Sequence, residues 1–519
     1  MSTVPAIIQI VQSQGSTNLP TEDALKQFDP SQHQVFDKSK RKQRKRTIPT
    51  GEFKKDPADP TGKALLRVNG ELVPETRTVT EDVNRIAIPL QKLIVIRRAA
   101  FMNTGRMNII AKPEGNDEER LLEMVKKCRA DNKMEFKSTE IAERQMSELQ
   151  VAELWYSEPV AKGYWGELAP NGIARMRMKI ISPALGDKLF PVFNGAGELV
   201  YFGRGYQTKQ DLTDQINWND PMAVAATDVN AKEVNHLDIY SKDGVLKFEQ
   251  QNGVWVLQEA IKYTYGKLPI IYYSQAVPEW NDVQPIIERL ETLVSNFADV
   301  VDANASPVLF AKGVIRSMPA RGETAKVINV VPQINSKGEE VGGSDLKYIT
   351  WDAAPEAVRL EIDNLVNFIY TGTQTPDIST KGMADLGVKS GTGFDRVFID
   401  AHLAAMRHTN GTYGECTQRS INFLKSACIS IDKSLANAEK LEMSPDFPLF
   451  RINDERETIE MLTLATGSQP ILSQKTAVGM SGLVQDAEKE FEQIQAEQDT
   501  LGREISAEPK GKKEVIDEE

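Results

Sequence analysis

The sequence predicts an α+β fold, and three observations carry that prediction. Apolar residues recur at three- and four-residue spacing in blocks near 80–157, 283–301 and 355–429, which is helical periodicity. Between about 172 and 275 the pattern becomes residue-by-residue alternation with Gly, Asp and Asn turns, which is strand periodicity. A small insert at 307–351, "VLFA", "KVINVV" and "LKYITW" joined by Gly- and Lys-rich turns, adds a short α/β or all-β region.

The elements follow in order. Residues 1–78 are rich in Pro, Gln, Ser, Thr and charge, and read as a flexible or loosely docked basic arm. Its run "KSKRKQRKR" (Lys38 to Arg46) suits nucleic acid or an acidic partner, with a solvated charge run as the commoner case. "TEDVNRIAIPLQKLIVIRRAAFM" reads as a helix from Thr80, and residues 117–157 as a second helical stretch. Trp155, Tyr156, Tyr164 and Trp165 cluster at the seam before the strands, where aromatic residues are ordinarily core. In the strand region, "DGVLKF" and "NGVWVLQ" carry the Asp-Gly and Asn-Gly punctuation of hairpins.

The next helix, within 281–305, has one apolar stripe: Val283, Ile286, Ile287, Leu290, Leu293, Val294, Phe297, Val300 and Val301. Asp282, Glu288, Glu291, Asp299 and Asp302 are expected on its solvated outer face. The insert at 306–352 carries a local basic set of Lys312, Arg316, Arg321, Lys326, Lys337 and Lys347. A helix over 353–372 has Pro355 in its first turn and ends before Pro376. A polar loop, 373–393, precedes a long helix over 394–430 that is broken at Asn410–Gly411. A strand near 447–453, short helices to about 500 and an acidic tail at 501–519 complete the chain.

Composition limits the function classes. The 519 residues carry 74 acids and 62 bases, a net charge of −12, whereas a protein that grips DNA phosphates over its whole surface is basic. No apolar run reaches 18 residues and the start lacks a basic leader region, so neither a membrane span nor a signal peptide is expected. Cys128, Cys416 and Cys428 include no CxxC pair and read as reduced, buried thiols.

Few residues are patterned for chemistry. "TPDISTKGMADLGVKSGTGFD" (375–395) resembles a phosphate cradle in composition, but a phosphate-binding loop needs glycine directly before its lysine and a strand upstream. Val388 precedes Lys389, and the upstream segment is helical, so two of three requirements fail. His33, His236, His402 and His408 have no metal-ligand spacing and read as ordinary surface histidines. No acids are marked as a catalytic pair. No cofactor, metal or enzymatic role is expected.

Five segments, in order, resemble the portal (head-to-tail connector) proteins of tailed phages of the siphophage type. They are "VNRIAIPLQKLIVIRRAAFMNTG", "ISPALGDKLFPVFNGAGELVYFGRGY", "KLPIIYYSQAVPEWNDVQPIIERLETLVSNFADVVDANASPVLFAKG", the 375–395 loop and "PILSQKTAVGMSGLVQDAEKEFEQIQAEQ". The resemblance spans about 80–500; the longer basic arm and the glycine break in the long helix depart from the family pattern. It implies a portal-like fold: a wing (79–280 with 431–453, plus the long helix 394–430), a helical stem (281–305 and 353–372), a clip (306–352), a tunnel loop (373–393) and a helical crown (454–500).

It further implies a ring, usually of twelve copies, at a capsid vertex of the virion, assembled in the host cytoplasm. Double-stranded DNA would pass through its channel without sequence readout. The polar loop residues Asp377, Ser379, Thr380, Lys381, Asp385, Lys389, Ser390 and Thr392 would line that passage. The clip would dock the large terminase and then head-tail adaptors, and the ring would meet the major capsid protein and scaffold. On the residues alone two other readings stand beside this one. One is a nucleotide-dependent nucleic-acid enzyme using 375–395; the other is a scaffold or adaptor that binds through arm and tail without a channel.

Overall fold

The structure is a computed structural model. It describes residues 5–506 except 62, 69–70, 104–106, 210–232, 305–307, 313, 318–328, 332, 335–339, 342–344, 350–354, 380–396, 449–454, 468–469 and 485–486. The chain forms two compact units, one of residues 1–376 with 401–449 and one of 377–400 with 450–519.

The first unit begins with α1 (Ala6–Gln14) and α2 (Thr21–Phe28). An antiparallel ribbon of β1 (Arg44–Phe53) and β4 (Pro74–Glu81) follows, with β2 (Arg67–Val68) and β3 (Glu71–Leu72) paired between them. After α3 (Leu90–Asn103) come β5 (Asn108–Ala111), α4 (Asn116–Asp131) and α5 (Met134–Glu148).

Strands β6 (Gln150–Pro159), β7 (Ala174–Ile181), β8 (Lys188–Phe193), β9 (Leu199–Lys209), β10 (Glu233–Tyr240), β11 (Gly244–Gln251), β12 (Val254–Lys262) and β13 (Ile270–Ser274) form two antiparallel sheets. Their orders are β12-β11-β10-β9-β8 and β13-β6-β7. Asn252 and Gly253 both take positive φ in the two-residue turn that pairs Gln251 with Val254, the geometry an Asn-Gly signal demands.

The sheets share a core of Ala152, Leu154, Ile181, Phe202, Tyr240 and Ile270. Strand alternation sends Leu237 and Ile239 to the opposite face, where Ile8 and Val11 of α1 cover them. Gly203 lets α1 lie close: a Cβ there would stand 2.4 Å from Val11 Cγ1.

The chain then runs through α6 (Gln284–Asn304) into β14 (Val308–Lys312), β15 (Val314–Ser317), β16 (Asn329–Val331), β17 (Gln333–Ile334), β18 (Glu340–Val341) and β19 (Asp345–Ile349). These strands close into hairpin pairs, β14 with β19, β15 with β16 and β17 with β18. It returns through α7 (Pro355–Gly372), α8 (Ile399–Thr409) and α9 (Thr412–Ile431), and β20 (Met443–Asp446) pairs with β5. The second unit contains α10 (Glu455–Ala465), α11 (Gln474–Ser481) and α12 (Ala487–Ser506). Ser473 caps α11, its hydroxyl accepting from the Thr476 N–H.

Several expectations need correction. Residues 5–41 are not a loose arm: Ile8 and Val11 are fully buried, because the five-stranded sheet would otherwise expose the apolar face opposite its partner sheet, whereas the described side chains of 42–78 are largely exposed. The helix expected from Thr80 starts at Leu90, after Pro89, and 82–89 are extended. Residues 150–159 are strand β6, not helix. Six consecutive buried residues begin that strand, and a strand buried on both faces shows no alternation. The late strand lies at 443–446, before the expected 447–453, of which 449–453 fall outside the described residues. The described elements of the 306–352 insert are all strands.

Candidate functional site

Helix α6 is the centre of the most organised polar arrangement in the molecule. Glu291, Ser295 and Asp299 recur every fourth residue, so they stack in one row on the helix. All three are buried. What covers them is the extended segment 84–88, running antiparallel to α6. The Asn84 N–H donates to Asp299 Oδ1 at 2.7 Å, the Ile86 N–H to Ser295 Oγ at 2.9 Å, and the Ile88 N–H to Glu291 Oε1 at 2.8 Å.

The fit is dimensional. Alternate residues of an extended chain are about 6.6 Å apart and point their N–H groups to one side, while four helical residues rise about 6 Å. The row of acceptors on α6 therefore substitutes for a neighbouring strand and satisfies backbone donors that Pro89 keeps out of a helix.

The amino-terminal segment completes the cover. His33 is buried, with Nδ1 2.6 Å from Glu291 Oε1 and Nε2 2.8 Å from the Gln27 carbonyl. Both neighbours are acceptors, so both ring nitrogens must carry protons, and only the imidazolium does so. Burial works against that charge, but the Glu291 hydrogen bond and charge and the Gln27 carbonyl outweigh it and hold the imidazole pKa above its ordinary value.

From the basic run, Arg41 places Nη2 2.6 Å from Asp299 Oδ2, Nη1 2.6 Å from Asn296 Oδ1, and Nε 2.8 Å from the Asn84 carbonyl. The acidic partner of that run is thus, for Arg41, this chain's own helix. Glu288 accepts from Gln34 at 2.6 Å and Asp302 from the Asn84 amide at 2.6 Å. Of the five acids expected on a solvated face, only Asp282 and Asp302 are exposed. The available sequence signal was the Glu-x3-Ser-x3-Asp spacing, with a serine set between two acids.

A second polar cluster fastens the start of the 373–393 loop. Helix α7 runs antiparallel to α6: a Cβ on Gly372 would meet Val283 Cγ1 at 2.9 Å, and Arg289 pairs with Glu361 at 2.6 Å. Where α7 ends, Thr373 Oγ1 donates to the Ile369 carbonyl at 2.7 Å. Arg97 donates to the Pro376 carbonyl and lies over the Tyr370 ring, 5.4 Å from its centroid.

Arg98, only 7% exposed, donates to the Thr373 carbonyl and lies 3.6 Å from Glu279. Glu279 also accepts from His408 of α8 at 3.1 Å. Burial pushes the Glu279 carboxyl up, but the His408 hydrogen bond and charge and the Arg98 charge prevail and hold it below the usual carboxylate range. One half-buried carboxylate therefore links the end of α7 to α8.

The other expected site residues are scattered. Asp377 accepts from the Ser379 N–H at 3.0 Å. Thr380, Lys381, Asp385, Lys389, Ser390 and Thr392 lie outside the described residues, as do Arg321, Lys326 and Lys337. Lys312 stands opposite Asp345, and Lys347 opposite Phe310, in the β14–β19 pair, and Arg316 lies in β15.

The histidines correct the surface reading. His33 and His408 sit in the two clusters above, and His402 is buried edge-on to Phe101, while His236 stacks on Tyr206. Trp155 and Trp165 are buried as expected, but Tyr156 is 44% exposed. Cys128, Cys416 and Cys428 are free and buried. Among the described residues no group of His, Cys, Asp or Glu is placed to hold a metal ion, and no helix is long and apolar enough to cross a membrane.

Large apolar side chains stand exposed on the helices flanking these clusters: Leu360 and Phe368 on α7, and Leu403 on α8, each more than half exposed. A helix face of this kind lacks a partner among the described residues.

No curated protein matches the sequence. A chain of a solved structure, "Neck of empty GTA particle computed with C6 symmetry", is similar over 76% of this chain and 89% of that one, at 12% identity and a TM-score of 0.35, too distant to carry an argument. The family model described as "Phage portal protein, SPP1 Gp6-like" matches residues 68–503, from the β1–β4 ribbon to the last helix, and the chain therefore belongs to the phage portal protein family.

Proposed function

We propose that the chain is one subunit of a twelve-membered portal ring at a single vertex of a phage capsid. DNA enters and leaves through its axial channel. The large terminase docks on it during packaging, and head-tail adaptors replace the terminase later; the major capsid protein and scaffold surround it. The role is structural rather than enzymatic.

One observation carries this reading beyond family membership. The α6–α7 hairpin, with the β14–β19 pair between its arms, leaves Val301, Leu360 and Phe368 uncovered among the described residues. Copies of the same hairpin arranged around an axis cover such faces.

In this reading 281–305 and 353–372 form the stem and 306–352 the clip, whose Lys312, Arg316, Arg321, Lys326, Lys337 and Lys347 meet docking partners. Residues 79–280 with 431–453, joined by 394–430, form the wing, and 454–500 the crown. The loop 373–393 reaches DNA through Asp377, Ser379, Thr380, Lys381, Asp385, Lys389, Ser390 and Thr392. Twelve copies at −12 each carry −144, and an acidic assembly lets the duplex slide because few phosphates find a cation to hold them.

Negative-stain imaging and mass photometry of the purified protein test the reading. Rings with an axial hole are expected, and Leu360→Ser with Phe368→Ser should shift them toward smaller species. Particles without a hole would point instead to a scaffold or adaptor, and a strictly monomeric protein at micromolar concentration would defeat the ring outright.

A further inference from the structure

Arg41 commits its guanidinium to α6, but the basic run does not end there. Residues 38–55 hold nine bases against one acid, in a chain whose net charge is −12. The later part of that run is built into the β1–β4 ribbon. Among the described residues these two strands pair only with each other, so each keeps one free edge. Lys42, Lys45, Lys54 and Lys55, in and beside the ribbon, are exposed, and none of them makes an ion pair among the described residues.

Strand alternation sorts the ribbon into two faces. On one of them Lys45 stands opposite Thr80 and Thr47 opposite Thr78, with Thr76 two residues further along the same side. All five side chains are exposed, and the four threonine hydroxyls have no hydrogen-bond partner among the described residues. These five positions therefore offer an ammonium and four hydroxyls and no large apolar anchor. Protein interfaces are centred on buried aromatic or aliphatic side chains, whereas DNA phosphates are held by Lys and Arg with Ser and Thr hydroxyls beside them. The ten residues of β1 extend about 34 Å, the length of one turn of duplex.

We propose that this ribbon docks double-stranded DNA through its phosphates, without sequence readout, as a contact separate from the 373–393 loop. Lys45 and the four hydroxyls meet the phosphate oxygens. Lys42 at one end of the ribbon and Lys54 and Lys55 at the other extend the track. The acidity of the chain as a whole does not forbid this, because at physiological ionic strength the field of a distant charge decays over about 8 Å. Exposed Glu52 and Glu75 lie near the second end and oppose the phosphates, which sets the sign of one test.

The full-length protein is titrated onto a relaxed, covalently closed plasmid in filter binding. A closed circle cannot thread an axial channel, so retention reports a surface contact whether or not the ring forms. Binding is expected at about 50 mM salt and should weaken roughly a hundredfold by about 200 mM, the slope of about four phosphate contacts. Lys42→Gln with Lys45→Gln should weaken it at least tenfold at the lower salt and reduce the salt slope by about two. Lys54→Gln with Lys55→Gln should act in the same direction from the other end, Lys45→Arg should preserve binding, and Glu75→Gln should strengthen it. Loss in either double variant supports the site. Unchanged affinity in both, or no retention at about 50 mM salt, means that the run is merely solvated and overturns the proposal. Displacement of the plasmid by polyglutamate, as strongly as by DNA of equal charge, would assign the ribbon to an acidic protein and overturn it too.

Discussion

Two carboxylates, each bound to a histidine, organise different parts of this molecule: Glu291 is buried, and Glu279 is half-buried and faces an arginine. Glu291 and its neighbour Asp299 accept from His33, from Arg41 and from backbone N–H groups of 84–88, so three segments distant in sequence become one layer. Glu279 accepts from His408 and faces Arg98, which in turn holds the Thr373 carbonyl. The first arrangement is distributed along a helix and closes main-chain donors. The second is a point attachment of side chains at the foot of a loop. Removing one acceptor from the distributed site strands donors on several segments at once, whereas breaking the point attachment frees only the foot of the loop.

The sharpest way to break this contrast is Glu291→Ala. It leaves the His33 cation and the Ile88 N–H without their acceptor and should cost about 3–5 kcal/mol in denaturant unfolding. Exchange protection should fall at 33–41 and 84–88 but not at 373–376. A loss below about 1 kcal/mol would mean the layer is held by apolar contacts alone.

Next in size is Arg98→Gln, at about 2 kcal/mol from its charge-assisted bonds. Protection should fall at 373–376 while 84–88 keep theirs. Assembly should survive with DNA packaging impaired; loss of both together would make the loop base a folding element only.

The pH dependence separates the two clusters by sign. The His33 pKa is raised on folding, so its stabilisation is complete below about 6.5 and is lost as pH rises through the folded value. The Glu279 pKa is lowered, so its stabilisation is complete above about 4.5 and is lost as pH falls through the folded value. Exchange measured across this range should open 33–41 on the alkaline side and 373–376 on the acid side. His33→Gln should remove the alkaline opening and leave the acid one; opening of both segments on the same side would refute the assignment.

The smallest effect is expected at the exposed Arg289–Glu361 pair, where both side chains are at least 40% open to solvent. Glu361→Gln should change stability by less than about 1 kcal/mol, and less still in high salt.

Much of the portal-like α+β fold was legible because its signals are local. The apolar stripe of α6, Pro355 at the start of α7, the break at Asn410–Gly411 and the Asn252–Gly253 turn each depend on residues a few positions apart. Strand β6 escaped because burial on both faces erases the alternation that marks a strand. The histidines were misread because ring spacing along the chain says nothing about a carboxylate more than a hundred residues away, as between His408 and Glu279.

By itself the sequence determined the periodicities, the turns, the acidic balance and the Glu291–Ser295–Asp299 row, since each follows from residue identity and the geometry of one helix or hairpin. Only the tertiary structure decided what that row does. Its acids are spaced for solvent as well as for a neighbour, and Pro89 leaves 84–88 with unpaired donors wherever that segment lies. Bringing the two together matches a helix rise to a strand rise across some two hundred residues of chain, a coincidence of lengths visible only once both are folded.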